Sequence, residues 1–138
     1  MVNVEWKSGL NLVASTPSGH SVVMDGYAEE GKPSLGPTPL ELFLVATASC
    51  GAMDVISILE KKRQKLTSYR IEIEGERSPF GSPFPRPYTS LTLKHILSGE
   101  DLDPVAVERA IQLSDEKYCS ILATLRESPT IKSIFEIV

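Results

Sequence analysis

Residues 38–65 read TPLELFLVATASCGAMDVISILEKKRQK, and this stretch decides the fold. Thr38 is a favoured N-cap residue, Pro39 suits the first helical position, and Glu41 completes a T-x-x-E capping box. The apolar run behind them predicts a helix through Leu59 and on into the basic cluster Lys61, Lys62, Arg63 and Lys65. Cations there complement the negative end of the helix dipole. Over residues 39–65 such a helix would span about 40 Å at 1.5 Å per residue. That is long for a chain of 138 residues. Too little sequence remains to cover its apolar surface, so a partner subunit is expected.

Residues 40–59 also have the length of a membrane span, about 20 residues. Yet Glu41 lies in the first turn and Asp54 well inside, with Thr47, Ser49 and Ser57 along the way. An acid near the centre of a membrane helix costs roughly 2.5–3.5 kcal/mol. Burial within protein is the better expectation. The N-terminal MVNVEWKSGLNL has no basic segment followed by a long apolar one, so it does not read as a signal peptide. A cytoplasmic protein with no membrane partner is expected.

With 14 Lys and Arg against 18 Asp and Glu, the net charge is −4. Proteins that track phosphates carry a basic excess, so nucleic acid is disfavoured as a partner. The composition, 41% hydrophobic and 23% charged, is that of a folded globular chain. Its length suits a single domain over residues 1–138. Two cysteines exclude a disulfide-rich scaffold.

Before the helix, Val2, Val4 and Trp6 alternate with Asn3, Glu5 and Lys7, the period of a half-buried strand. Leu10 to Ser15 and His20 to Met24 are further strand candidates, separated by the turn cluster Pro17-Ser18-Gly19. Together the three predict an antiparallel meander. Residues 28–39 hold three prolines and two glycines and read as a surface connection.

After the helix, Tyr69 to Glu74 alternates apolar against charged. Residues 89–97 place Leu91, Leu93 and Leu97 on one side. Between them SPFGSPFPRPY (78–88) carries four prolines and cannot be sheet interior. Asp103 and Pro104 begin a second helix with Val107, Ala110, Ile111 and Ser114 on one face. A helical break is expected near Tyr118-Cys119, and Ile131 to Val138 reads as a closing strand. The order of strands, long helix, strands, helices and strand is that of an α+β domain.

Cys50 lies mid-helix in apolar surroundings, and Cys119 lies in the later helical region. Either one can be a small buried hydrophobe. Together, if the fold brings them close, they can form a peroxide-reducing pair, one thiolate becoming a sulfenic acid and the other resolving it as a disulfide. Spacing leaves both readings open. His20, Cys50, His95 and Cys119 would make a Cys₂His₂ set, but structural zinc ligands come in closely spaced pairs. No metal is expected, and the histidines read as ordinary strand or turn residues. Acyl transfer has no support, because GHS at 19–21 is not a G-x-S-x-G elbow.

Two carboxylates are candidate supporting groups. Glu41 is half a turn out of phase with Cys50 at about 100° per residue, and its capping role competes. Asp54, at i+4 from Cys50, shares its face. An anion beside a thiol disfavours the thiolate unless a cation intervenes, and Lys7, Arg109 and Arg126 are the candidates. A buried salt bridge is the plainer expectation for Asp54.

The segments PTPLELFLVATASCGAMDVISIL (37–59) and EKYCSILATL (116–125) carry a resemblance, joined by SGHSVVMDG (18–26) and IFEIV (134–138). On these the chain resembles the OsmC/Ohr family, and within it a branch of uncharacterised proteins. The resemblance implies an OsmC-like fold, antiparallel sheets around a long central helix, in an intertwined homodimer. It further implies a thiol peroxidase for organic hydroperoxides in oxidative-stress defence. Cys50 would be peroxidatic and Cys119 resolving, a dithiol reductant would restore the pair, and no metal or organic cofactor would be needed. Phe80, Phe84 and Tyr88 would then be candidates to line an apolar approach.

The family's thiolate-stabilising arginine has no counterpart, since no arginine precedes Arg63; Lys7 is a weak substitute. Leu40 stands where the peroxidases have their glutamate, with Glu41 one position later. Two other readings therefore stand beside the enzyme: a small-molecule-binding module without turnover, and a structural dimer with inert thiols.

Overall fold

The computed structural model describes residues 1–127, 129–134 and 136. The chain forms two compact units, Met1–Val45 and Ala46–Val138.

In the first unit, β1 (Asn3–Ser8), β2 (Asn11–Ser15) and β3 (Ser21–Met24) form an antiparallel sheet in the order β1-β2-β3. This is the expected meander. Its first strand is not half-buried as the alternation suggested: every residue of β1 is exposed, Val4 at 55% and Trp6 at 71%. The connection to the helix folds back through Asp25, whose carboxylate accepts from the backbone N–H groups of Gly26 and Leu35.

Helix α1 (Pro39–Lys61) starts in the first unit and continues in the second. The capping box forms as read. The Thr38 N–H and hydroxyl donate to Glu41 Oε2 at 2.6 and 2.9 Å, and the Glu41 N–H returns to Thr38 Oγ1 at 3.3 Å. The helix ends earlier than expected. Arg63 adopts a left-handed φ of 57°, Arg63 N–H bonds the Glu60 carbonyl, and Gln64 N–H bonds the Leu59 carbonyl. That pair of bonds is a Schellman stop, and Lys65 opens a strand instead of closing the helix.

By length and composition α1 is the one helix among the described residues that could cross a membrane, and 33% of its most apolar stretch is buried. Thr47, Gly51, Val55 and Leu59 make its buried stripe, four residues apart. Val45, Met53 and Ile56 are exposed.

In the second unit, β4 (Lys65–Arg77) and β5 (Tyr88–Glu100) form one antiparallel hairpin, pairing Tyr69 with Leu97, Ile71 with His95 and Ile73 with Leu93. Both strands are longer than the alternation indicated. Helix α2 (Pro104–Leu113) is capped by Asp103, whose carboxylate accepts from the Val105 N–H. A single π-helical turn, Ser114–Tyr118, comes next, then Cys119 in extended geometry, then α3 (Ser120–Arg126). The expected break is at Cys119 itself. Val55, Leu59 and Ala110 form the core, packed by Leu66, Tyr69, Leu97, Val107 and Ile111 among others.

No strand forms at residues 131–134 or 136, where a closing strand was expected; Phe135, Ile137 and Val138 of that segment lie outside the described residues.

Candidate functional site

The two cysteines come together from separate elements of the second unit, α1 and the junction before α3. Cys50 lies on α1, beside the buried stripe, and is half-buried. Cys119 is delivered by the π turn: its N–H reaches back to the Ser114 carbonyl at 2.9 Å. The chain then leaves the helix at φ −70° and ψ 102°. Single π-helical turns recur at functional sites, where the extra residue re-aims the next side chain. Here that side chain is the Cys119 thiol, on a residue only 2% exposed.

Cys50 Sγ, Cys119 Sγ and one carboxylate oxygen of Asp54 all lie within 4.8 Å of one another. Both cysteines are free thiols. Burial, then the hydrogen bond to Cys50, raises the Cys119 pKa above its ordinary 9.0; the backbone N–H groups of Leu122 and Ile121 oppose the rise. Asp54 accepts from the fully buried Ser114 hydroxyl, Oγ to Oδ2 3.2 Å. It is in no ion pair among the described residues, so the expected salt bridge is replaced by a hydroxyl contact. Next to it opens a cavity of about 350 Å³, lined by Asp54, Ser57, Lys61, Lys62, Leu113 and Tyr118 among others.

Other expected participants are occupied elsewhere. Glu41 is held in the capping box, where the Thr38 N–H and then its hydroxyl keep the carboxyl below its usual range. Lys7 pairs with Glu5 at 2.7 Å, Arg109 reaches Gln112, and Arg126 donates to the Asp115 carbonyl. Phe80 and Phe84 are 97% and 81% exposed, with Arg86 stacked over both rings, and Arg77 lies over Tyr88. None of the three aromatics lines the cavity at Asp54.

Of the imagined Cys₂His₂ set, only the cysteines belong to the cluster. His20 hydrogen-bonds Ser18 in a turn. His95, on the inner face of β5, shares a 2.5 Å hydrogen bond with Tyr69, the rings edge to face. Burial lifts the Tyr69 pKa to about 12 and lowers that of His95, while the Asp115 charge pushes both upward. Sequence reasoning missed this pair, and it missed Ser114 as a partner of Asp54. The signal for Ser114 was present: a serine on an apolar helix face is a buried donor that needs an acceptor.

Known proteins supply context for this geometry. The family described as "OsmC-like protein" matches residues 30–133. The chain is 38% identical over 135 residues to protein YhfA of Escherichia coli K12, covering 98% of this chain and 96% of YhfA. A hypothetical protein from Aquifex aeolicus VF5, of known structure, is 32% identical with a TM-score of 0.75, over 93% of this chain and 87% of that one. At 16% identity and a TM-score of 0.63, an organic hydroperoxide resistance protein from Legionella pneumophila shares the fold over 91% of this chain and 88% of its own. Antiparallel sheets with a long helix are thus the architecture common to these chains.

Proposed function

The chain belongs to the OsmC-like protein family, and on that premise we propose that it is a thiol-dependent reductase of organic hydroperoxides. The observation that carries the reading is the convergence of two free thiols, one half-buried and one buried, within 4.8 Å. A structural neighbour named for organic hydroperoxide resistance supports the reaction class.

Cys50, the more accessible thiol, attacks the terminal oxygen of the hydroperoxide. The O–O bond breaks, the sulfur becomes a sulfenic acid, and the alcohol leaves. Cys119 then attacks that sulfur, forms the disulfide and releases water. Asp54 is the group at hand to move the protons, accepting from the attacking thiol and returning to the departing oxygen. A dithiol reductant restores both thiols by exchange. Two copies of the chain form the working protein, acting in the cytoplasm against oxidative damage, and the uncovered apolar residues of α1 and β1 support that pairing.

One equivalent of cumene hydroperoxide added to the reduced protein tests this step. Both thiols should disappear together, with a Cys50–Cys119 disulfide in the peptide map. Persistence of two free thiols would remove the basis of the reading.

A second reading has its own observation. The Asp54 carboxylate within 4.8 Å of both sulfurs disfavours a thiolate unless a cation joins it, which suits a binding module that does not turn over. Such a module would bind a ligand that raises the melting temperature equally in wild type and Cys50→Ser.

A further inference from the structure

Cys50 and Asp54 project from consecutive turns of α1, and Cys119 faces them from the residue after the π turn. The cluster thus presents two sulfurs and a carboxylate oxygen to one point. We propose that the reduced cysteine pair and Asp54 form a binding site for Zn²⁺ or a cation of similar softness. Thiolate sulfur binds zinc at about 2.3 Å and carboxylate oxygen at about 2.0–2.2 Å, so tetrahedral ligand atoms stand roughly 3.5–3.8 Å apart. Atoms already within 4.8 Å of one another reach that spacing by small side-chain rotations.

The donor set selects the ion. Magnesium and calcium require oxygen ligands throughout, whereas zinc accepts sulfur and oxygen together. Ser114 holds the back of the ligand set. Its hydroxyl donates to Asp54 Oδ2 from a fully buried position and fixes the carboxylate, as partners behind metal ligands do. Three protein ligands leave the fourth position for water or a small thiol, the pattern of open rather than structural zinc sites. Binding converts both thiols to thiolates and releases their protons. Lys61 and Lys62, which line the adjoining cavity with Asp54, offset the excess negative charge. Once the sulfurs are joined as a disulfide they are no longer ligands, so the oxidised protein loses the ion. The inference stands whether or not the pair turns over peroxide.

Cobalt(II) is the probe, titrated into the reduced full-length protein without oxygen and with a phosphine as reductant. The expected result is a saturating thiolate-to-cobalt charge-transfer band, one ion per chain, abolished by Zn²⁺ and accompanied by release of about two protons. Cys119→Ser should reduce the band. Ser114→Ala should weaken affinity by about 10–100-fold, and Asp54→Asn by at least as much. Disulfide-oxidised wild type should show no band, a control that requires no variant to fold. Absence of a charge-transfer band in the reduced wild type, or an unchanged affinity in folded Asp54→Asn, would overturn the proposal. Peroxide-driven disulfide formation is read separately by thiol counting, so failure of one proposal is visible without failure of the other.

Discussion

Cys119 gains a high thiol pKa from its burial, and Cys50 keeps access to solvent. An alkylating reagent should therefore label Cys50 first in the reduced protein, with Cys119 slower because it is buried and its thiol pKa is raised. Peptide mapping after brief iodoacetamide treatment checks the order. The Tyr69–His95 pair sets a pH dependence of stability at both ends. His95 has its pKa lowered from 6.5, so its contribution is complete above that value and is lost as pH falls through the folded value. Tyr69 is raised from 10.0 to about 12; its contribution is complete below 10.0 and is lost as pH climbs toward 12. Urea midpoints across pH should show both declines, with the alkaline one reduced in Tyr69→Phe and the acid one in His95→Asn. The two cysteines entered as a pair only through the family resemblance, because their spacing left both readings open; it is the fold that brings their sulfurs within 4.8 Å. The Ser114–Asp54 and Tyr69–His95 contacts were not, because each joins elements far apart in sequence and nothing local specifies their meeting.

The start of α1 was legible because a capping box is local chemistry, complete within Thr38 to Glu41. Its end was not. The basic cluster favours a helix C-terminus by charge, but the stop is made by Arg63 in a left-handed conformation, where glycine is the usual signal. Arg63→Gly should therefore stabilise the protein by about 1 kcal/mol, by relieving the cost of a side chain in that region. Thr38→Ala should destabilise it by about 0.5–2 kcal/mol through loss of the cap. Equilibrium denaturation of the two variants measures opposite signs at the two ends of one helix. The π turn likewise escaped the sequence reading, since Ser114 to Tyr118 has ordinary helical composition. The extra residue shows in the reach of the Cys119 N–H back to the Ser114 carbonyl.

For the chain as a whole, the α+β class and the element order from β1 to α3 were readable because periodicity changes cleanly between strands and helices, whereas the closing strand expected after them does not form among the described residues. The burial of those elements was not, because alternation reports which face is apolar and not what covers it. Trp6 is 71% exposed and Met53 73% exposed within one chain. If a second copy supplies the cover, Met53→Glu should shift the sedimentation profile from dimer toward monomer and lower the melting temperature. A monomeric wild type at micromolar concentration would contradict the pairing.

Turnover is the deciding property: cumene hydroperoxide consumption driven by a dithiol reductant, in wild type, Cys50→Ser and Cys119→Ser. Catalytic consumption that Cys50→Ser abolishes, and that Cys119→Ser reduces, is the expected result. Consumption no faster than in buffer, or a rate unaffected by Cys50→Ser, would contradict it.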